Sequence, residues 1–331
     1  MDGLLVVDKP SGPTSHDVVA RARRLLNERR VGHTGTLDPM ATGLLPLVVG
    51  RATRLAQFLS AASKRYEAVV RLGIETDSYD ATGAAAGAPF EGPWPSRDAV
   101  ERALETFRGT FDQQPPAFSA KKVDGQRSYH LARAHAREKD QHSSLLAGPH
   151  PRSLALGDSA PRAGRRRSLP DPVPVTAHAI EVLGFEGALV RLRVDCSAGF
   201  YIRSLAHDLG ERLGTGAHLQ ALRRTGSGNL TLDDAIELEK AERDPGEAAA
   251  RMVPLRRLLP DVPAVMLTPL GVQHATNGCE LGPADLLKES AAIGAGSLFR
   301  LLDEGGELVG IGHPGTGING AGLLHPSIIL V

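Results

Sequence analysis

Gly32-His33-Thr34-Gly35-Thr36-Leu37-Asp38-Pro39-Met40-Ala41-Thr42-Gly43 carries three glycines and a proline within twelve residues. Such a stretch cannot be an ordinary helix interior or a central strand, because glycine loosens both and proline removes a backbone donor. It reads as a tightly turned loop offering His33, Thr34, Thr36 and Asp38 to one side. The apolar run Leu44 to Val49 follows at once and can anchor the loop in a core. Reactive groups on a loop with a rigid neighbour are the usual layout of a site. Asp38 also has a plainer reading, an Asx-type turn in which its carboxylate caps nearby N–H groups.

Upstream, Leu4 to Val7 reads as a buried strand stopped by Asp8-Lys9-Pro10-Ser11-Gly12-Pro13. A helix starting at Ser15 follows, with Val18, Val19, Ala22, Leu25 and Leu26 at helical spacing. Lys9 stands at the strand end, where a side chain can face a ligand or simply lie in solvent. Downstream, a short helix over Ala52 to Leu59 precedes Lys64 to Leu72, whose alternation predicts a strand. Tyr66 lies at its entry beside Lys64 and Arg65; it is either core packing or a ring able to stack on a nucleobase.

Residues 77–95 read as loose connection, and Ser96 caps a helix carrying Val100, Leu104 and Phe107. Pro115 to Gly125 suggests a strand and turn with paired Lys121 and Lys122, feeding a helix with Tyr129, Leu131 and Arg133. From 139 to 172 periodicity disappears, which predicts a long flexible insertion containing Arg165-Arg166-Arg167. Strands over Val175 to Leu183 and Ala188 to Cys196 lead to Phe200-Tyr201-Ile202-Arg203 and a helix through Leu213. Arg203 thus falls in a helix's first turn at a strand-to-helix switch, where a cation wants a carboxylate; Asp38 is a candidate. Gly216 to Gly226 reads as a strand with basic outer positions, 232–259 as helical, and the tail from about Val262 as short strands.

The chain has 331 residues, 41% hydrophobic and 23% charged, with formal net charge zero. Those values suit an ordinary soluble protein with a large and a small domain, and leave nucleic-acid binding to local charge clusters. Seven of the 38 basic residues are Lys and the rest Arg. Cys196 and Cys279 stand far apart, which excludes a thiolate zinc cluster and argues for a reducing compartment. No apolar window of membrane-spanning length occurs, so the expectation is a cytoplasmic protein without membrane association.

Together these residues resemble the bacterial tRNA pseudouridine synthase B family. The resemblance rests on Leu4 to Lys9-Pro10 with Gly12, Gly32 to Gly43, Lys64-Arg65-Tyr66, Pro116 to Lys122, Cys196-Ser197 to Arg203, and Gly216-Ala217-His218 to Arg224. It implies an α+β fold: a mixed, mostly antiparallel sheet core with flanking helices, plus a small C-terminal β-barrel-like PUA domain. The implied division is a catalytic domain over 1–258, with the 139–172 insertion in an RNA-gripping lobe, and an RNA-binding domain over 259–331. The implied activity converts the uridine at position 55, in the TΨC loop of tRNA, to pseudouridine.

Under that resemblance Asp38 is the nucleophile, Arg203 keeps it ionised and oriented, and Tyr66 stacks on the base and accepts a proton. Tyr201 and Leu222 wall the pocket. His33 fills the gap left by the flipped nucleotide, and Lys9 contacts the loop or phosphates. Lys121, Lys122, Arg223 and Arg224 are read as phosphate contacts. No cofactor, metal or guide RNA is implied, and the protein is expected to act on tRNA as a monomer. The pattern departs from the family at Ala198 and Phe200, where Lys and Thr are frequent, and at Val173-Pro174, which lacks a preceding Arg-Pro pair.

Rival readings are weaker. A metal-dependent hydrolase would need a second spaced carboxylate or His pair beside Asp38 and His33, and a nucleoside triphosphatase would need Gly-Lys-Ser/Thr at the end of the loop. A pure RNA-binding or RNA-folding module is the serious alternative; a guide-RNA-dependent synthase is a second, against which the long lobe between Lys122 and Val173 argues for the stand-alone form.

Overall fold

The computed structural model describes residues 1–116, 171–287, 298–315 and 324–331, with the backbone of two short strands, Lys122–Val123 and Gln126–Arg127. The expected helix through Tyr129, and the insertion apart from its last two residues, lie outside the described residues, as do the side chains of Lys121 and Lys122. Contacts divide the chain into two units, one of residues 1–64 with 223–331 and the other of residues 65–222.

In the first unit the strand Gly3–Lys9 is central. It runs antiparallel to Thr42–Val49 along its whole length, from Gly3 opposite Val49 to Lys9 opposite Gly43. Both strands are almost continuously apolar and buried, the pattern of strands covered on both faces. Ile236–Glu237 joins Gly3–Lys9 in parallel, and Val253–Pro254 joins it antiparallel. Val31–His33 pairs with Thr42–Val49 on the latter's other edge, and Arg223–Arg224 pairs in parallel with Thr42–Gly43. The helix Ser15–Leu25 is capped by Thr14 and Asp17 in a capping box and buries Val18, Val19 and Ala22.

Leu4, Val6, Leu44, Val48 and Leu55 share a core with Leu255, Leu258, Leu308, Ile311 and Leu330. Each such side chain contributes roughly 1.5–3 kcal/mol by leaving water. A second cluster, including Val265, Phe299, Leu301 and Leu324, fills a four-stranded C-terminal sheet. There Ala264–Met266 runs parallel to Phe299–Leu302, followed by antiparallel Leu308–Pro314 and Leu324–Ile329.

In the second unit Arg65 to Leu72, Leu189–Cys196, Val173–Glu186 and Gly109–Gln113 are successive neighbours in a sheet. Val173–Glu186 runs antiparallel to both of its neighbours, Leu189–Cys196 and Gly109–Gln113. Residues 64–72 form one strand, as their alternation predicts, with Tyr66, Ala68, Val70 and Leu72 buried. The helices Arg97–Glu105 and Ile202–Leu213 flank this sheet; Ser96 caps the first, and Gly214 at φ 67° ends the second.

Four expectations need correction. The Gly32–Gly43 segment is a loop only over residues 34–41, because Gly32-His33 and Thr42-Gly43 join strands at either end. The helix expected over Ala52 to Leu59 is a 3₁₀ turn, Gly50–Leu55, continued by a short α-helix, Ala56–Ser60. Residues 232–259 are not one helix. Pro245 and Pro254 interrupt them, leaving two six-residue helices, Leu238–Arg243 and Pro245–Ala250, between short strands. The tail also contains a helix, Pro269–Thr276, capped by Thr268. Among the described residues no helix is long and apolar enough to cross a membrane.

Candidate active site

The loop around Asp38 is held by its backbone. Every carbonyl from Gly35 to Ala41 accepts a hydrogen bond from within the first unit. The Arg224 guanidinium donates to Gly35 at 3.1 Å and Thr36 at 3.5 Å, and its Nε donates to Leu44 at 2.6 Å. Ser15 Oγ donates to Leu37 at 3.0 Å and accepts from the Leu37 N–H at 2.8 Å. The Ala41 N–H closes a turn onto the Asp38 carbonyl at 3.1 Å, and the Gly12 N–H reaches Pro39 at 2.8 Å. Ser11 Oγ donates to Met40 at 3.4 Å. Lys9 Nζ donates to Ala41 at 2.7 Å, Pro39 at 3.2 Å and Pro10 at 2.8 Å. A loop tied at so many points presents the Asp38 carboxylate at low reorganisation cost.

Lys9 is therefore not solvated: it is fully buried. Burial pushes its ammonium down to about 8; the Asp38 carboxylate opposes that shift and the Arg224 guanidinium adds to it. Arg224 is 1% exposed, which corrects its reading as an outward phosphate contact. Its strand can approach the loop because Gly43, at φ 97°, has no side chain; a Cβ there would lie 2.2 Å from the Arg224 carbonyl oxygen. Arg223, the neighbouring basic position, points the other way and pairs with Asp8 at 2.6 Å. His33, on the strand before the loop, accepts from the Gly35 N–H through Nδ1 at 3.4 Å and meets the exposed His16 ring edge-on at 5.4 Å between centroids.

The first unit thus assembles Lys9, His33 and Asp38 around one loop. The second carries Tyr66, Tyr201, Arg203 and Leu222. Tyr66 and Leu222 sit in strands, each 8% exposed. Tyr201 occupies the N-cap of the Ile202–Leu213 helix without a side-chain cap. Instead the buried Gln113 side chain grips the Tyr201 backbone twice, accepting its N–H at 2.8 Å and donating to its carbonyl at 3.0 Å.

Arg203 is buried in the first turn of this helix, with the Asp80 carboxylate 3.6 Å away and equally buried. Arg203 Nη1 also donates to the Ser78 carbonyl at 3.2 Å. Asp80 is fixed in turn: its Oδ1 accepts from Ser78 Oγ, Thr82 N–H and Thr82 Oγ1 at 2.9, 2.9 and 2.6 Å. Asp80 and Gln113 are not among the residues the sequence singles out, and Arg224 is expected there as a phosphate contact rather than as an interior donor to the loop. The spacing Asp80-Ala81-Thr82, an Asx-turn pattern, is the signal that could have found Asp80 within an apparently loose segment.

Comparison with known proteins agrees with this architecture. Residues 23–144 match the N-terminal domain of TruB family pseudouridylate synthases, and residues 203–262 match the tRNA pseudouridylate synthase B C-terminal domain. The chain is 41% identical, over all of both chains, to a tRNA pseudouridine synthase B of Solibacter usitatus. A protein of the same name from Aromatoleum aromaticum is 42% identical over 98% of this chain and 92% of its own. Among solved structures it is similar to a chain of an H/ACA RNP bound to a substrate RNA containing 2′-deoxyuridine, with TM-score 0.67 and 26% identity over 99% of this chain and 85% of that one.

Fold and relatives together define a pseudouridine synthase. Within that class the chain belongs to the TruB family.

Proposed function

We propose that this protein isomerises the uridine at position 55, in the TΨC loop of tRNA, to pseudouridine. The reaction breaks the N1–C1′ bond, turns the uracil, forms C5–C1′, and returns to N1 a proton equivalent to that lost from C5. It involves no net redox change and no energy input, so a nucleophile and proton transfers suffice. Asp38 supplies the nucleophile, and the observation that carries this reading is the loop in which every carbonyl from Gly35 to Ala41 is tied, so that Asp38 stands on a fixed backbone. Arg203 orients charge at the reacting centre, and Tyr66 stacks on the uracil and accepts a proton.

The target nucleotide leaves its stack to react, and His33 takes its place there. Tyr201 and Leu222 bound the pocket, and Lys9 acts through the loop backbone rather than on phosphate. We assign catalysis to residues 1–258 and a PUA-like RNA grip to 259–331, in a cytoplasmic monomer that uses no cofactor.

A guide-RNA-dependent synthase is the second reading, favoured by the likeness to a chain of an H/ACA RNP. The higher identity to tRNA pseudouridine synthases B along the full length supports the stand-alone enzyme. Incubating an unmodified tRNA transcript with the purified protein alone, then mapping pseudouridine by mass spectrometry, tests both. Product at position 55 without guide RNA is expected; product elsewhere, or only with a guide, overturns the assignment.

A further inference from the structure

Tyr79 is one of three non-glycine residues with positive φ among those described, at 64°. A tyrosine held in the left-handed region has to be kept there by its surroundings. Its two neighbours are Ser78, whose carbonyl accepts from Arg203, and Asp80, whose carboxylate pairs with it. The left-handed turn at Tyr79 is what lets the residues on either side of it aim a carbonyl and a carboxylate at one guanidinium. The Tyr79 ring stacks on His207, with centroids 3.9 Å apart and planes within 8°. His207 lies one helical turn beyond Arg203 on the same helix, so both side chains leave the same face.

Further bonds frame the turn. The Leu219 N–H donates to the Tyr79 carbonyl at 2.9 Å, the Ala81 N–H donates to Leu219 at 2.9 Å, and Thr76 Oγ1 holds the Asp80 carbonyl at 2.7 Å. These fix the loop to the neighbouring strand. His207 Nδ1 is buried without a hydrogen-bond partner among the described residues. Its Nε2 lies 3.8 Å from Glu211, whose side chain is 63% exposed, so the near-parallel stack on Tyr79 is the more rigid contact on the ring.

We propose that Tyr79 and His207 are positioning residues for Arg203: the stacked pair locks the loop 76–82 onto the Ile202–Leu213 helix and thereby sets the guanidinium's orientation during turnover. The inference rests on the reading that Arg203 acts at the reacting centre. It goes beyond that reading by assigning the orientation to an aromatic stack outside the reacting groups.

The test is steady-state release of tritium from tRNA labelled at uridine C5, with tRNA binding measured separately on the same full-length variants. Tyr79→Gly relieves the backbone strain and deletes the ring, while His207→Ala deletes only the partner ring. Both should lower kcat about tenfold or more, as misplacement of a reacting group does. KM and tRNA affinity should stay within about twofold of wild type, the signature of a loss expressed only in the transition state. Tyr79→Phe and His207→Phe, which keep the stack, should restore kcat.

Wild-type kcat in Tyr79→Gly or His207→Ala, or no rescue by the phenylalanine variants, overturns the proposal. Should Tyr79→Gly fail to bind tRNA, His207→Ala decides alone. Arg203→Lys run in parallel separates the two levels: retained turnover there defeats the reading of Arg203 itself, whereas its loss with normal Tyr79→Gly turnover defeats only the role of the stack.

Discussion

The Lys9 ammonium lies 2.7 Å from the carbonyl oxygen of Ala41, at the foot of the loop that carries Asp38. One buried cation thus holds the backbone of this loop and feels the charge of its carboxylate. Because burial holds its pKa near 8 against an ordinary 10.5, the folded protein binds fewer protons than the unfolded chain between those values. This residue's contribution therefore makes stability rise with pH across that window. Urea melts from pH 8 to 10.5 should show a smaller rise in Lys9→Met than in wild type. Asp38→Asn removes the opposing carboxylate and should move the Lys9 midpoint below 8, read by NMR at lysine Cε. An unchanged or higher midpoint would contradict the coupling.

Arg224→Met strips donors from the Gly35, Thr36 and Leu44 carbonyls. Unsatisfied buried acceptors cost about 1–3 kcal/mol each, so the midpoint of denaturation should fall by the equivalent of about 3 kcal/mol or more. Gly43→Ala should be comparably damaging, since its Cβ meets the Arg224 backbone at 2.2 Å. A Gly43→Ala protein as stable as wild type would show that the two strands can part without cost.

Asp80→Asn and Asp8→Asn separate a buried ion pair from a partly exposed one. Breaking the Arg203–Asp80 pair removes one partner of a desolvated cation and should cost about 3 kcal/mol. Breaking the Arg223–Asp8 pair, whose side chains are 40% and 24% exposed, should cost about 1 kcal/mol or less. Equal losses in denaturant titrations would refute this ordering.

Gln113→Leu should leave both the N–H and the carbonyl of Tyr201 without the side-chain partners they have here. Amide exchange at the start of the Ile202–Leu213 helix should quicken by about tenfold, the equivalent of one lost hydrogen bond of about 1.4 kcal/mol. Unchanged exchange would mean that the helix start needs no such clamp.

How much of this was legible depended on range. The strand at residues 64–72 could be read to its ends because its alternation matches the one buried face. The loop around Asp38 was visible through its glycines and proline, and Arg203 through the strand-to-helix switch. What stabilises these groups was not visible. Arg224 binds Leu44 across 180 residues of sequence, and nothing local marks an arginine on a strand as interior. Lys9 looked like a solvated strand end because its acceptors, Pro39 and Ala41, are backbone atoms some thirty residues away. Asp80 was hidden by a Gly/Ala/Pro-rich context that composition alone marks as connection. The Pro269–Thr276 helix was obscured by Gly271, which closely approaches the backbone at Asp285.

Asp38 is proposed to perform the chemistry while the surrounding loop holds it. Single-turnover conversion of a tRNA transcript by wild type and Asp38→Asn, with affinity measured for both, tests it most directly. Pseudouridine should form with wild type and not with Asp38→Asn, with tRNA bound comparably by the two. Turnover by Asp38→Asn at the wild-type rate would contradict it and leave Asp38 as a turn-forming residue.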